Sequence, residues 1–397
     1  MKYIKNGINM IIMGILMYIC YPFLPKNIWI ISERLNQAQD NGIAFFEYMR
    51  RHQPQEETYY LLEKDSPYIK KVQTIGPVLL AGTLKHKLYF LKSKVVASTE
   101  KNMIEPWGSN LFYKYFAKLY PKKIKVFLQH GILDKDVSSV YGAAVSNFDL
   151  FVTSTDAEKE FVIEKFGYKP DQVINVGISR YDQLLEKSKT TPKENIILYM
   201  PTWRRYLIDL RNKDGNYKEE TYKKILQTNY YKGIKDLIED IDLKNTLVKE
   251  NMKLIVILHH AMEIIAPSFN NSGRNIEIYT SEQVNIQDII CKAKVFITDY
   301  SSVHFDSAYV GNPNIYYQFD QEEFLKEHAG KSYFSYVLDG FGPVIESKEA
   351  LLQQINELID QKYEQATQYN DRREHFFENR DGQNSKRLYE YIVNSRS

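Results

Sequence analysis

The sequence predicts an α/β protein of two Rossmann-like domains facing a central cleft, preceded by an apolar N-terminal helix that associates with a membrane. Three observations carry this. The chain has 397 residues, more than one ordinary core accommodates. Short apolar or β-branched runs alternate with amphipathic stretches, the pattern that builds parallel sheets covered by helices. That alternation starts twice, on either side of a polar, proline-containing stretch at 186–195. The division that follows is 1–25 for the apolar segment, 26–190 for the first domain and 191–397 for the second.

Ile8 to Leu24 is apolar apart from Asn9, with Lys2, Lys5 and Lys26 at its flanks. Its length is at the short limit for a membrane span, roughly 17–25 residues. Met17-Tyr18-Ile19-Cys20-Tyr21 offers no small-residue cleavage site, which argues against a signal peptide. Lysines at both ends suit a helix lying in or dipping into the inner leaflet, with a buried core helix as the alternative. Ile28-Trp29-Ile30-Ile31 reads as the first strand. Asp40-Asn41-Gly42 then introduces a helix from Ile43 to Arg51, with Phe45, Phe46 and Met49 on one face. Val95 to Ser98, Ile124 to Leu128 and Asp149 to Thr153 are further strands. Thr155-Asp156-Ala157-Glu158 is a capping box opening a helix that Gly167 and Pro170 end. Val173 to Val176 is a strand with Gly177 after it. In the second half, Ile196 to Met200, Leu254 to Leu258, Ile276 to Tyr279, Val295 to Thr298 and Asn314 to Tyr317 are strands, and the chain from about Ser347 is helical and polar.

Composition excludes several classes. Apolar residues make up 44% and charged residues 26%, a globular balance. Net charge is +2 with both signs interleaved, which argues against a dedicated nucleic-acid binder. The two cysteines, Cys20 and Cys291, are far apart, so a reduced cytoplasmic setting is expected and a zinc site is not. Neither GxGxxG nor GxxxxGK[ST] is present, which removes the main support for a dinucleotide dehydrogenase or a P-loop nucleotidase.

Ligands of open α/β sheets bind beyond the carboxyl ends of strands, so residues just after strands are the ones that carry chemistry. Gln129-His130-Gly131 puts a histidine there, able to take a proton from an attacking hydroxyl, with a glycine that lets the backbone turn. Pro201-Thr202-Trp203-Arg204-Arg205 offers a hydroxyl and an arginine fork for phosphate. Leu258-His259-His260 offers two histidines, of which alternation lets one face the cleft. Thr298-Asp299-Tyr300-Ser301-Ser302, running on to Asp306, ends a strand and opens a helix. Its N–H groups, dipole and serine hydroxyls suit a diphosphate, and ordinary capping by Ser301 or Ser302 explains the same pattern.

Taken together, these strings resemble the CDP-glycerol glycerophosphotransferases of bacterial wall and capsule assembly, from about Asn27 to Ile345. Ile30-Ile31-Ser32-Glu33-Arg34 with Asp40-Asn41-Gly42 is similar to that family's first strand and loop. Gln129-His130-Gly131 matches its HG motif, which usually has Trp before the histidine. Val176 to Asp182 resembles its G-x-x-R-x-D stretch, Pro201 to Arg204 its PTWR, and Ile297 to Ser302 with Phe305-Asp306 its ITDYSS-x-x-FD block, followed by Pro313. Phe334 to Gly342-Pro343-Val344 resembles its last segment. The family's HP motif falls on His259, with His260 as the alternative, and lacks its proline here.

The resemblance implies a GT-B architecture and transfer of glycerol phosphate or ribitol phosphate from a CDP-polyol to a hydroxyl of a lipid-linked or saccharide acceptor, releasing CMP. His130 is then the general base, and His259 contacts phosphate or assists the leaving group. Thr202, Arg204, Thr298, Asp299, Ser301 and Ser302 hold the donor, with Asp306, Arg180 and Asp182 as further contacts. Gly131, His260, Arg205 and Gln129 are possible site residues, Gln129 through the acceptor pocket. No cofactor, metal or nucleic acid is expected, and the protein is placed at the cytoplasmic face of the cell membrane. The chain lacks the long extra N-terminal region of some polymerases, which favours a single-addition or compact capsule enzyme. Two other readings remain: a GT-B glycosyltransferase or epimerase using a nucleotide sugar, and a catalytically silent membrane-bound assembly partner.

Overall fold

The computed structural model describes residues 2–107, 112–208, 219–269, 273–328 and 332–395. Two compact units emerge, Met1–Gln183 with Asn379–Ser397, and Leu184–Glu378.

The first unit is built on a seven-stranded parallel sheet. Its strands are β1 (Ile28–Ser32), β2 (Glu57–Leu62), β3 (Val78–Leu80), β4 (Val95–Ser98), β5 (Ile124–Phe127), β6 (Leu150–Thr153) and β7 (Val173–Asn175), in the order β3-β2-β1-β4-β5-β6-β7. Every residue of β1, β4 and β6 is buried. Parallel strands covered on both faces select continuous apolar runs, which is why these segments stand out in the sequence. The second unit repeats the plan with β8 (Ile196–Met200), β9 (Lys253–Leu258), β10 (Ile276–Thr280), β11 (Val295–Thr298), β12 (Asn314–Tyr317) and β13 (Val344–Ile345), in the order β10-β9-β8-β11-β12-β13. Both orders reverse direction once, between β1 and β4 in the first unit and between β8 and β11 in the second. Those reversals are where open α/β sheets receive ligands.

Six helices matter below: α1 (Lys2–Cys20), α2 (Asn41–His52), α3 (Leu84–Lys92), α4 (Asp156–Phe166), α5 (Val303–Val310) and α6 (Asn384–Asn394). α1 is long and apolar enough to cross a membrane. It nevertheless packs on the first unit. Met10 and Met17 are fully buried in the cluster that holds Leu88, Phe90, Trp107 and Phe112. Asn9 accepts from the Trp107 indole at 2.9 Å, and Tyr120 donates its hydroxyl to the Met10 carbonyl at 3.1 Å. Gly14 makes that approach possible, because a Cβ there would collide with the Tyr120 oxygen. On the opposite side Ile8, Ile11, Ile12, Ile15 and Ile19 are more than half exposed, and Phe23 beyond the helix is 88% exposed.

The compact units divide the chain differently from the sequence-based expectation of 26–190 and 191–397. The division falls between Gln183 and Leu184, within the helix Arg180–Thr190, and the end of the chain packs with the N-terminal unit. The reason lies in the G-x-x-R-x-D stretch. The Asp182 carboxylate accepts the backbone N–H groups of Asn384 and Ser385, each at 2.8 Å, and so caps α6. Gly177, at φ 80°, leaves the room Asn384 occupies, since a Cβ would collide with the Asn384 side-chain oxygen. Tyr389 of α6 lies 5.8 Å from the Trp29 ring of β1, centroid to centroid.

Candidate active site

In the N-terminal unit the loop after β1 organises one centre. Glu33 is buried at the end of β1, and its carboxylate accepts the N–H groups of Gln39 (2.9 Å), Asp40 (2.8 Å) and Ile43 (2.8 Å). Burial, with Asp40 nearby, pushes the Glu33 acid up despite these three donors. The start of α2 is thereby pinned, and Gly42 is required there, because a Cβ would lie 2.8 Å from Glu33 Cγ and 3.0 Å from the Ser32 carbonyl. Asn41 ties two more strand ends to this loop. Its amide donates to the Gln129 carbonyl at 2.8 Å and accepts from the Arg180 N–H at 3.0 Å.

Asp40 is thus aimed at His130. Its Oδ2 lies 3.2 Å from His130 Nδ1 and its Oδ1 accepts from Arg180 Nη1 at 2.7 Å, while the same Arg180 nitrogen also donates to the His130 carbonyl. Burial opposes the charge on Asp40, but Arg180 and His130 hold its carboxyl below the usual range. The other imidazole nitrogen, Nε2, faces Glu100 Oε1 at 3.3 Å and the Tyr141 hydroxyl at 3.4 Å. Glu100, just after β4, also accepts from Arg34 Nε (2.9 Å) and from Tyr141 (3.1 Å). Burial lowers the His130 pKa, but the two carboxylates overcome it and raise the imidazole to about 9. Burial likewise raises Glu100, and hydrogen bonds to His130 and Arg34 win and lower it to about 2. The resting pair is therefore imidazolium and carboxylate, with 38% of the His130 side chain exposed. Such a histidine becomes a proton acceptor only once it has shed its proton.

Gln129, a possible site residue through the acceptor pocket, turns inward. It is fully buried at φ 64°, and its amide donates inward to the Val152 carbonyl (2.7 Å) and to Glu158 (2.9 Å). Glu158 also accepts the N–H groups of Leu133 and Ser154, each at 2.7 Å, so one carboxylate grips both sides of the His130 loop. Burial raises Glu158 to about 7. The left-handed residue of this turn is Gln129, not Gly131. What Gly131 supplies is space for Arg180, whose Nη2 would lie 3.2 Å from a Cβ. Arg180, expected as a donor contact, accordingly lies in the His130 centre, and Asp182, expected likewise, caps α6.

The second centre lies at the reversal in the C-terminal unit. β9, β8 and β11 are neighbours, so the loops after them lie within about 10 Å of one another at ordinary strand spacing. Arg204, expected to grip phosphate, has its side-chain nitrogens engaged by acceptors of the protein itself. Its side chain is fully buried, donating from Nε and Nη2 to Asp320 (2.8 and 2.7 Å), from Nη2 to Asp299 (2.7 Å) and from Nη1 to the Thr202 carbonyl (2.7 Å). Burial opposes its charge, and Asp299 and Asp320 hold it firmly protonated. Asp299 is equally enclosed, accepting the N–H groups of Thr202 (2.8 Å) and Tyr300 (2.6 Å). Thr298 is also buried and spends its hydroxyl on the Met200 carbonyl at 2.7 Å. These three side chains splice the loop after β8 to the loop after β11. Asp306 is buried in the first turn of α5, where its charge suits the helix dipole.

What remains presented is Ser301 and the exposed Ser302 at the start of α5, with Thr202 half-buried beside them, its enclosed hydroxyl without a protein partner. The first N–H groups of α5 are engaged, Val303 by Ser301 Oγ (3.3 Å), His304 by the Ser301 carbonyl (3.1 Å) and Phe305 by the Ser302 carbonyl (3.1 Å). Serine hydroxyls and the dipole, more than free amides, therefore make this helix end attractive to an anion. His259 lies beside Trp203, ring centroids 5.9 Å apart, and its Nδ1 accepts the Ala261 N–H at 3.1 Å. A neutral His259 thus carries its proton on Nε2 and acts as a donor. His260 is exposed next to it, with ring centroids 4.1 Å apart, and Arg205 is exposed at the start of the helix Arg205–Ile208. Among the described residues no three His, Cys, Asp or Glu side chains form a metal-ligand set.

Sequence reasoning missed Glu33, Glu100, Tyr141, Glu158 and Asp320. Glu100 and Asp320 follow strands directly or within a few residues, the one signal that could have marked them.

Several known proteins are similar to this chain in sequence or in fold. Minor teichoic acid biosynthesis protein GgaB of Bacillus subtilis (strain 168) is 28% identical over 376 residues, covering 94% of this chain and 40% of GgaB. The teichoic acid glycerol-phosphate transferase of Staphylococcus aureus (strain NCTC 8325 / PS 47) is 23% identical over 261 residues, 62% of this chain and 60% of that one. The chain thus spans between 40% and 60% of the length of these two relatives. The teichoic acid glycerol-phosphate primase of B. subtilis is 22% identical over 350 residues, covering 84% of this chain and 79% of the primase. Among solved structures, the wall teichoic acid polymerase TagF superposes with a TM-score of 0.66 at 15% identity over 98% of both chains. A UDP-N-acetylglucosamine 2-epimerase superposes at 0.57 with 12% identity, over 94% of this chain and 96% of that one. At such identities the likeness shows the fold, a GT-B-like pair of α/β domains. The sequence profile of the CDP-Glycerol:Poly(glycerophosphate) glycerophosphotransferases matches residues 15–394, nearly the whole chain, and the protein belongs to that family.

Proposed function

We propose that this protein transfers glycerol phosphate or ribitol phosphate from a CDP-polyol to a hydroxyl of a lipid-linked or saccharide acceptor, releasing CMP, in the building of wall teichoic acid or a capsule. The observation that carries the reading is His130, oriented through Nδ1 by Asp40 and partly open to solvent, the arrangement of an oriented general base. Family membership supports the donor class, and a TagF variant has been soaked with CDPG. Relatives acting with glycerol phosphate and with ribitol phosphate both occur.

In this reading the diphosphate lies over Thr202, Ser301 and Ser302. The buried Arg204 is outnumbered by Asp299 and Asp320, so it lends the ligand no net positive charge. Stabilisation of the phosphate charge comes instead from the α5 dipole, from the Nε2–H donor of His259, and from His260 and the cation of Arg205 at the surface. His130 takes the acceptor proton as the acceptor oxygen attacks the polyol-bearing phosphorus, and CMP leaves with the electron pair of the broken P–O bond. The loose transition state of phosphoryl transfer makes positioning and charge placement the main work of the protein.

α1 is proposed to lie flat in the cytoplasmic leaflet. Its packed face is committed to the protein and its isoleucine face is left for lipid, which places the enzyme beside a lipid-linked acceptor.

The test is mass spectrometry of products after incubation with CDP-glycerol or CDP-ribitol and a lipid or oligosaccharide acceptor, with CMP release followed in parallel. His130→Ala is expected to fold, with a melting temperature lowered by the loss of its contacts to Asp40 and Glu100, and to lose on the order of 100- to 10,000-fold in turnover. Unchanged CMP release by that variant would remove the base assignment.

A further inference from the structure

We propose that Glu100 is a further catalytic residue: in the resting protein its carboxylate holds the seat at His130 Nε2 that the acceptor hydroxyl takes for transfer, and exchange between the two turns the imidazole into a base. The inference rests on the reading of His130 as the base and deepens it.

The geometry leaves one nitrogen for chemistry. Nδ1 is committed to Asp40, which is itself fixed by Arg180 and by the Glu33-braced loop. A proton taken from an acceptor must arrive at Nε2, and there Glu100 Oε1 stands at 3.3 Å with the Tyr141 hydroxyl at 3.4 Å. Tyr141 donates its proton to Glu100, so toward the imidazole its oxygen only accepts. Both neighbours of Nε2 are therefore acceptors, and the nitrogen must carry a proton between them. An acceptor alcohol cannot give its proton to a nitrogen in that state.

The contacts at Nε2 are long, at the outer edge of hydrogen bonding, whereas Arg34 holds Glu100 at 2.9 Å. Half of the Arg34 side chain is exposed. Glu100 can thus leave Nε2 while Arg34 and Tyr141 keep it close, ready to return. The charged and titratable groups around His130 are Asp40 and Glu100 as anions, Arg34 and Arg180 as cations, and Tyr141, which burial and Glu100 keep protonated. Replacing Glu100 by a neutral hydroxyl removes one of the two carboxylates that raise the imidazole, so its proton passes to water. The freed Nε2 then accepts the proton of the acceptor as its oxygen bonds to phosphorus. The P–O bond to CMP breaks with its electron pair on CMP. Summed over the turnover, CDP-polyol and alcohol give CMP, the new phosphodiester and one proton, the one His130 gave to water at the exchange; the proton taken from the acceptor restores the resting imidazolium as Glu100 returns.

The experiment compares the wild type, Glu100→Gln and His130→Ala. Rates with a CDP-polyol and a soluble acceptor are taken from pH 6 to 10, and the His130 ring is titrated by nitrogen-15 NMR without substrate. Wild type is expected to titrate near 9, with kcat/KM for the acceptor rising toward that pH. In Glu100→Gln both the ring titration and the inflection of kcat/KM are expected at least about one unit lower, since one carboxylate contact is gone. A uniform loss of kcat with the inflection and the ring titration unmoved would mean that Glu100 is only a brace, and the proposal would fail. Should the glutamine variant not fold, Glu100→Asp withdraws the carboxylate by one methylene and gives the same readout. If His130→Ala retains full turnover, the base reading itself falls. If His130→Ala is inactive and Glu100→Gln leaves the titration in place, only the role of Glu100 falls.

Discussion

At the scale of single residues, the Asp40-Asn41-Gly42 triplet shows how much chemistry can hide in a helix start. From the sequence it reads as punctuation before an apolar helix face, and that reading is correct. In the structure each residue also plays its own part. Asp40 orients His130, Asn41 joins the ends of three chain segments, and Gly42 makes room for Glu33. We expect Gly42→Ala to cost about 1–3 kcal/mol, the range for overpacking where backbone is the obstacle. The expected displacement of Glu33 would carry Asp40 with it. Thermal unfolding should show the loss, and turnover should drop even at temperatures where the variant is fully folded. The same scale explains what sequence reading could not supply. His130 was legible because an imidazole after a strand is an unusual placement. Glu33 and Glu158 were not, because nothing in a one-dimensional string says that a carboxylate is enclosed and surrounded by N–H groups. The inward hydrogen bonds of Gln129, which sits at φ 64°, were hidden for the same reason, since no residue type announces them.

At the scale of elements, the strands were the easiest part to read and the loops between them the hardest. β1, β8 and β11 are buried throughout, and apolar but for a terminal Ser32 and Thr298, because both faces are covered, and they show in the sequence directly. β2 opens on exposed Glu57, β3 has three residues and β13 has two, too little apolar pattern to stand out. The loops after β8 and β11 carry the family's motifs, and the sequence placed them correctly at strand ends. It could not say which side chains turn inward. Arg204 is the clearest instance. An arginine after a strand looks like a phosphate ligand, yet here it is the tie between two carboxylates from separate loops. Arg204→Ala strands Asp299 and Asp320 as buried charges and should cost about 3–5 kcal/mol. Arg204→Lys keeps the charge but loses the fork that serves both loops, so it should fall between wild type and alanine in stability. A phosphate-gripping arginine would behave differently: its alanine variant would keep its melting temperature and raise KM for the donor. Thermal unfolding of both variants, with Arg205→Ala as an exposed control, separates the two roles.

At the scale of the whole molecule, the question is how α1 meets a membrane. Length and composition alone allow a span, and the sequence could not decide between spanning, lying flat and core burial. The structure shows a helix with two committed sides. Met10 and Met17 are sealed against α3 and Trp107, while Lys92 donates to the carbonyls of Tyr21 (2.7 Å) and Leu24 (2.8 Å) where the helix ends. A helix crossing a bilayer would have to give up that entire face, leaving Phe90, Trp107 and Phe112 uncovered. Lying flat costs none of these contacts and places Ile8, Ile11, Ile15 and Ile19 in lipid along one stripe. Each isoleucine is already half covered, so its further burial is worth about 1 kcal/mol, against about 1.5–3 kcal/mol for burying the whole side chain. Several together, with Phe23, would supply the reversible anchor proposed above. Ile11→Lys with Ile15→Lys should therefore leave thermal unfolding unchanged, because neither side chain enters the core. It should also abolish sedimentation with lipid vesicles and spare turnover on a water-soluble acceptor. Cysteines introduced in place of Lys5 and Lys26 in a protein reconstituted on sealed vesicles should both react with an impermeant reagent added outside. Protection of one and not the other would mean that the two ends lie on opposite sides of the bilayer, and a flat helix would be ruled out.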